Sequence, residues 1–302
     1  MFSLLSAHNV VGMDITTSLV LATVPAFVLL SVVEWFDEQR DPDNTRQASA
    51  RSVRDYAGNW ATYLINAAFK LLGHYVLPFS TIVVASALTP LHLSARSWWV
   101  WVACLVVTDF CYYWAHRADH RVRLLWTAHS VHHSSNYFNM STNLRLPWFH
   151  PVSYTVRSLA WVPAALLGFP VWMIFLLNTA GLIFQIPCHT QRIGKLGAPW
   201  EFVFNTPSHH RVHHGSNQPY IDKNYGGVFI VWDRLFGSYA EETEAVRYGL
   251  IHEVQTQNPL KYNYLETVSM VRDVAYATTW QGRLAYVFGP PGWSEHRALV
   301  AA

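Results

Sequence analysis

Charge is scarce in this chain. Only 13% of its 302 residues are Asp, Glu, Lys or Arg, where an ordinary soluble domain carries about 25%. The formal net charge is +2, and no Lys/Arg block or aromatic-basic sheet motif appears, so nothing points to nucleic-acid binding. Cysteine is nearly absent. Cys104, Cys111 and Cys188 form no CxxC and no secreted disulfide framework. Cys188 neighbours His189, but its apolar surroundings favour a buried structural thiol over a metal-bound thiolate. The HExxH motif of zinc proteases is missing, and so is any nucleophile constellation. Residues 1–15 contain no Lys or Arg, so a standard signal-peptide n-region is missing.

Apolar residues fill the space. The chain is 51% hydrophobic, with 14 Trp, 15 Tyr and 16 Phe, a composition suited to lipid interfaces. Its long apolar runs predict an all-α integral membrane protein, one domain over 1–302, with four or five membrane-embedded helices under a cytosolic, histidine-rich di-metal cap. The embedded regions are expected at 16–33, 57–88, 98–115 and 151–188. Residues 57–88 carry Lys70 and His74, and suit one tilted helix or an interfacial helix followed by a span. Ser52 or Asp55 is the expected cap of that helix. Gly168-Phe169-Pro170 interrupts 151–188, which falls short of the roughly 40 residues that two full spans need. Two short helices or a re-entrant hairpin fit, and either returns His189 to the side of entry. The cap is expected at 116–150 and 189–265. Arg272, Asp273 and Arg283 make 266–289 a surface-packed helix rather than a span.

Arg40, Arg46, Arg51 and Arg54 share a membrane side with Arg117, Arg121 and Arg123 if 57–88 crosses once. The positive-inside rule then places the histidines toward the cytoplasm of a multi-pass protein, expected in a bacterial inner membrane.

The histidines gather between 116 and 214. His116 and His120 are four apart and share a helix face. His129, His132 and His133 form HxxHH, and His210, His213 and His214 repeat it. On a helix, i and i+3 or i+4 converge on one ion while the adjacent imidazole points toward a second. Two such clusters would enclose a pair of metals. Haem fits poorly, because it takes one axial histidine per side. Imidazole accepts Zn, Cu, Fe or Ni. A site beside apolar helices favours oxidation of an alkyl chain, for which iron with O2 has the power.

At His116-Arg117-Ala118-Asp119-His120, His129-Ser130-Val131-His132-His133 and His210-Arg211-Val212-His213-His214 the chain resembles the fatty acid hydroxylase/sterol desaturase superfamily, over roughly 100–239. The stretches Asn205-Thr206-Pro207-Ser208-His209-His210 and Tyr220-Ile221-Asp222-Lys223-Asn224-Tyr225-Gly226-Gly227 resemble its alkylglycerol monooxygenase-like branch. So do Trp232-Asp233-Arg234-Leu235-Phe236-Gly237 and Tyr248-Gly249-Leu250-Ile251-His252. The resemblance implies two Fe ions, O2 as co-substrate, a membrane lipid or fatty-acyl/alkyl substrate and a separate redox partner. It names tetrahydrobiopterin as one candidate electron donor. Two positions depart from the pattern. Gln185 stands where broader hydroxylases carry a histidine, and Asn136 where the branch commonly has Glu.

The metal ligands, and with them the catalytic residues, are expected to be His116, His120, His129, His132, His133, His189, His210, His213 and His214, with His209 outside the set. Asp109, Asp119, Gln185, Asp222 and Asp233 are candidates for orienting the imidazoles. Arg145, Arg211 and Lys223 are candidates for a lipid headgroup. Trp232 and Phe236 are expected to pack the cap. The expected activity is O2-dependent hydroxylation of a membrane lipid or alkyl chain. Desaturation of a lipid or sterol is one alternative. A non-enzymatic metal-binding or transport protein is the other, although transport calls for polar groups at the membrane midplane.

Overall fold

A computed structural model describes residues 7–40, 46–71, 76–252, 254, 256 and 258–295. Among them the fold is all-α, and two isolated bridges, Phe204 to Phe229 and Gly215 to Tyr248, are the β pairing. Among the described residues three helical stretches are long and apolar enough to cross a membrane: Thr17–Arg40, Trp98–Arg121 and Val171–Cys188. They belong to α1 (Ala7–Arg40), α4 (Trp98–Arg121) and α8 (Val171–Gln185) with the 3-10 turn Ile186–Cys188. Leu21, Leu29 and Val33 of α1 and Trp98 and Val102 of α4 face outward. Such a surface belongs in lipid, where helices keep their backbone hydrogen bonds internal.

The stretch 57–88 falls on two elements, α2 (Arg46–Leu71) and α3 (Val76–Leu88). Residues 72–75, His74 among them, and the side chain of Lys70 lie outside the described residues. With 13 residues, α3 reaches about 20 Å, short of the roughly 30 Å hydrocarbon core. Ser52 and Asp55 do not cap α2; they lie inside it and are buried. Tertiary partners take them instead, Glu38 for Ser52 and Arg145 for Asp55.

The interruption at Gly168 makes a hairpin. Before it come α6 (Pro151–Ser158), a 3-10 turn and α7 (Val162–Leu166); after it comes α8. Gly168 adopts φ 86°, and a Cβ there would stand 2.5 Å from Leu91 O, so glycine alone fits this turn. Leu93 N donates to Gly168 O at 2.8 Å, pinning the hairpin tip to the α3–α4 connection. Behind the tip, Val100 and Cys104 of α4 pack with Ala164, Ala165, Met173 and Ile174 in the apolar core.

The other end carries the histidines. There α4 and α8 finish, and α1 arrives with Glu34, whose carboxylate accepts from Met140 N and the Thr190 hydroxyl. Val122, in extended conformation, separates α4 from α5 (Arg123–His133). The stretch expected as one surface helix is two: α12 (Pro259–Tyr276), opened by Asn258, and α13 (Trp280–Phe288), opened by Thr279. Arg123 ties α5 to α12 through Glu266 at 2.8 Å and Asp273 at 2.6 Å. The remaining helices are α9 (Ala198–Val203), α10 (Pro207–His213) and α11 (Val231–Leu235).

Candidate metal centre

The eight histidines of the three motifs and His189 meet at this end in two groups. His116, His120, His129, His133 and His213 form one; His132, His189, His210 and His214 form the other. Within each group the ligand atoms lie within 4.8 Å of one another. On α5, His129 and His133 are four apart and turn to the same group, while His132 turns to the other. On α10 and its C-cap, His210 and His214 behave the same way, and His213 crosses over. Each motif therefore serves both groups. Spacing i, i+4 rotates a side chain by only about 40°, whereas neighbours differ by about 100°.

Imidazole nitrogens face one another inside each group. His129 Nε2 lies 3.1 Å from both His116 Nε2 and His133 Nε2. His189 Nε2 lies 3.1 Å from His132 Nε2 and 2.9 Å from His210 Nε2. Two imidazoles at right angles on an ion with bonds of about 2.1 Å would place their nitrogens about 3.0 Å apart. The Nε2 atoms of His120, His213 and His214 are buried without a hydrogen-bond partner. Buried orphans of this kind are costly, and a pair of metal ions would satisfy them. The residues fit two metals.

The opposite ring nitrogens fix the tautomers. His116 Nδ1 donates to Tyr225 O at 2.8 Å, His189 Nδ1 to Gln185 O at 3.0 Å and His213 Nδ1 to Lys223 O at 3.1 Å. A carbonyl only accepts, so each Nδ1 holds the proton and each Nε2 lone pair points inward. Lys223 O is presented by a turn in which Asp222 and Asn224 have φ of 59° and 56°, a conformation that Asp and Asn tolerate better than other side chains. Burial, reinforced by neighbouring imidazoles, holds His129, His133, His210 and His214 well below the ordinary histidine range. Burial likewise lowers His132 to about 4 and His213 to about 3. At neutral pH all are unprotonated, the form that binds metal.

Comparison with known proteins agrees with this geometry. The fatty acid hydroxylase family pattern matches residues 101–238, which hold all nine histidines. The chain belongs to the fatty acid hydroxylase/sterol desaturase superfamily. It is 40% identical to human alkylglycerol monooxygenase over 199 residues, 65% of this chain and 43% of that protein. The Caenorhabditis elegans alkylglycerol monooxygenase is 36% identical over 245 residues, 76% of this chain and 47% of its own length. Ornithine lipid hydroxylase OlsE of Rhizobium tropici is 29% identical over 136 residues, 45% of this chain and 40% of that one. The chain thus spans less than half the length of these relatives. No solved structure matches it.

The other polar residues of this superfamily member take varied places. Asp233 accepts from Tyr225 N at 2.8 Å, Gly226 N at 2.7 Å and Ser238 Oγ at 2.7 Å, and so steadies the carbonyl that His116 uses. Asp222 Oδ1 stands 3.8 Å from His120 Nδ1, and its other oxygen pairs with Arg121 at 2.9 Å. Asp109 reaches no ligand. It accepts from Val228 N, Phe229 N and Trp232 Nε1 at 2.7, 3.1 and 2.9 Å. Gly227 permits this approach, because a Cβ there would stand 2.7 Å from Asp109 Oδ1 and from Tyr112 Cδ1. Asp119 pairs with Arg157 at 2.6 Å rather than with a histidine. Gln185 serves His189 through its main chain, while its side chain accepts from Tyr112 Oη at 3.1 Å.

Of the three headgroup candidates, Arg145 is paired with Asp55 at 3.1 Å and the two are 1% and 0% exposed. Arg211 grips Glu242 with two hydrogen bonds of 2.7 Å. Lys223 contributes its carbonyl. His209 lies apart, 3.0 Å from Glu201. The Cys188 thiol points to the carbonyls of Phe184 and Asn205. Asn136 stands against Gly249, where an added Cβ would meet Asn136 Oδ1 at 2.1 Å. Trp232 and Phe236 pack on Phe110 of α4.

A cavity of about 770 Å³ runs to both groups. Val24 and Phe27 of α1, Phe79 of α3 and Leu182 of α8 line its apolar part; His116, His129, His132, His189 and His210 line its inner end. Arg157 and Tyr112 also line it. Neither is a histidine or an unusual motif, and sequence reasoning passed over both. An arginine inside the apolar run 151–188 was the available signal, since a charge there needs a partner.

Proposed function

We propose that this chain is a membrane di-iron oxygenase that hydroxylates the alkyl part of a lipid. The observation that carries the reading is the continuity of an apolar cavity, walled by lipid-facing helices, with both histidine groups. Hydroxylation balances as R–H plus O2 plus two electrons and two protons giving R–OH and water. Two irons with O2 supply an oxidant able to break an unactivated C–H bond. The chain's own groups do the rest. Nine imidazoles hold the metals, main-chain carbonyls keep the Nε2 atoms facing inward, and the apolar walls exclude water and bring a methylene to the histidines. The electrons come from an external donor, with tetrahydrobiopterin a candidate by likeness to the alkylglycerol monooxygenases. The Arg117, Arg121 and Arg123 cluster at the histidine end supports a cytoplasmic orientation. The ligands gather at one end of the helices, which supports oxidation over metal transport.

The test is lipid mass spectrometry on iron-loaded protein supplied with reductant, lipid extract and 18O2. One 18O atom in a lipid hydroxyl is expected, lost in the His132→Ala/His133→Ala double variant. A new double bond without 18O would make the enzyme a desaturase. Absence of any iron-dependent lipid oxidation would refute the reading.

A further inference from the structure

One part of the cavity wall is charged. Arg157 of α6 donates from Nε to Asp119 Oδ2 at 2.6 Å. Its guanidinium also lies 5.7 Å from the Tyr112 ring centroid and 5.2 Å from that of Trp161. Asp119 is close to one turn beyond His116 on α4, and Tyr112, His116, Asp119 and Arg157 all line the same cavity. The pair therefore sits beside the metal centre, on the route an alkyl chain would take.

Asp119 is almost enclosed, at 3% exposure, but Arg157 keeps 27% of its side chain accessible. Arginine has N–H donors on Nε and on both Nη atoms. Nε is engaged, whereas the Nη atoms make no hydrogen bond among the described residues and are not sealed into the wall. Several other polar side chains of the cavity already bond the fold. Ser153 bonds Leu124 O, Ser158 bonds Thr155 O, and Asn143 bonds Met140 O and Ile186 O. Open guanidinium donors beside an apolar space call for an acceptor. Asp119 cancels the formal charge of Arg157. The pair therefore offers hydrogen-bond donors with no net charge of its own, which suits an uncharged oxygen.

We propose that Arg157, oriented by Asp119, is a specificity-determining subsite that hydrogen-bonds an uncharged oxygen of the lipid and so sets which carbon lies against the histidines. This rests on the reading of the cavity as a lipid site.

The test separates binding from oxidation. Native mass spectrometry of the full chain in detergent, as purified and without reductant, measures binding of hexadecane, 1-hexadecanol and palmitate. Wild type is expected to hold the alcohol about tenfold or more tighter than the alkane, the worth of one hydrogen bond to a charged donor. Palmitate is expected to bind more weakly than the alcohol. In Arg157→Gln/Asp119→Asn, which leaves no unpaired ion, the alcohol preference disappears and hexadecane binding stays. A preference that survives in this variant overturns the proposal, as does a wild type that binds alkane and alcohol alike. Parallel loss of both ligands gives the pair a structural role and also overturns it. Tighter binding of palmitate than alcohol overturns the assignment of an uncharged oxygen. Failure of the iron-loaded protein to oxidise any lipid would remove the oxygenase reading and leave this binding comparison standing.

Discussion

Adjacent histidines should control different metals. His132 belongs to the group of four, with His189, His210 and His214, whereas His133 belongs to the group of five. His133→Ala leaves four imidazoles on its ion, as many as the other ion has in the wild type. His132→Ala leaves three. Zinc-finger-type sites gain roughly 12 kcal/mol from four ligands, or about 3 kcal/mol per ligand, which is about a hundredfold in affinity. Iron content after dialysis against a competing chelator should therefore fall from two per chain toward one in His132→Ala. At the same chelator strength His133→Ala should stay nearer two. His213→Ala should behave like His133→Ala, and His214→Ala like His132→Ala, although each pair is split between distant motifs. Inductively coupled plasma mass spectrometry gives the stoichiometry, and Mössbauer spectroscopy of 57Fe-loaded protein shows which iron environment disappears. Equal losses in His132→Ala and His133→Ala, or a grouping of variants by motif rather than by this partition, would refute the reasoning.

Three further outcomes are expected. Asp233→Asn removes acceptor capacity from Tyr225 N, Gly226 N and Ser238 Oγ; it should cost about 1.5–3 kcal/mol in denaturant unfolding and weaken iron binding about 10–100-fold through Tyr225 and His116. Arg145→Met should destabilise by about 3–5 kcal/mol, because Asp55, 0% exposed, would lose its cationic partner, with headgroup preference in lipid binding unchanged. The metal-free protein should lose stability below about pH 6.5. Folded pKa values of about 4 for His132 and about 3 for His213 lie under the unfolded value near 6.5. Above 6.5 neither state takes the protons and these groups contribute nothing. Below it the unfolded chain takes them first, so each group costs about 1.4 kcal/mol per pH unit until its folded pKa is reached. A flat unfolding free energy between pH 7 and 5 would count against this.

The two histidine groups were legible because chemistry and periodicity coincide in them. Spacing four on a helix brings His129 to His133 and His210 to His214, whatever surrounds them. The second layer was less legible. Asp109, Asp119 and Asp233 look alike in sequence, yet one secures the Val228–Phe229 turn, one pairs with Arg157 and one supports Tyr225. A carboxylate takes whichever donor packing brings near it, and those donors come from over a hundred residues away for Asp109. Arg145 shows the converse. A cationic residue in the cap looked available to a headgroup until α2 placed Asp55 against it.

Composition and spacing by themselves determined an apolar helical protein with nine clustered imidazoles, since hydrophobic length and helical pitch are local properties of the chain. Tertiary structure decided how those imidazoles divide. It sends His132 to the group of His189 and His213 to the group of His116, because the imidazoles of α5 meet those of α10 and its C-cap ring against ring. It also placed Arg157 beside Asp119 in the cavity wall, a pairing set by how α6 folds back on α4 and by no motif.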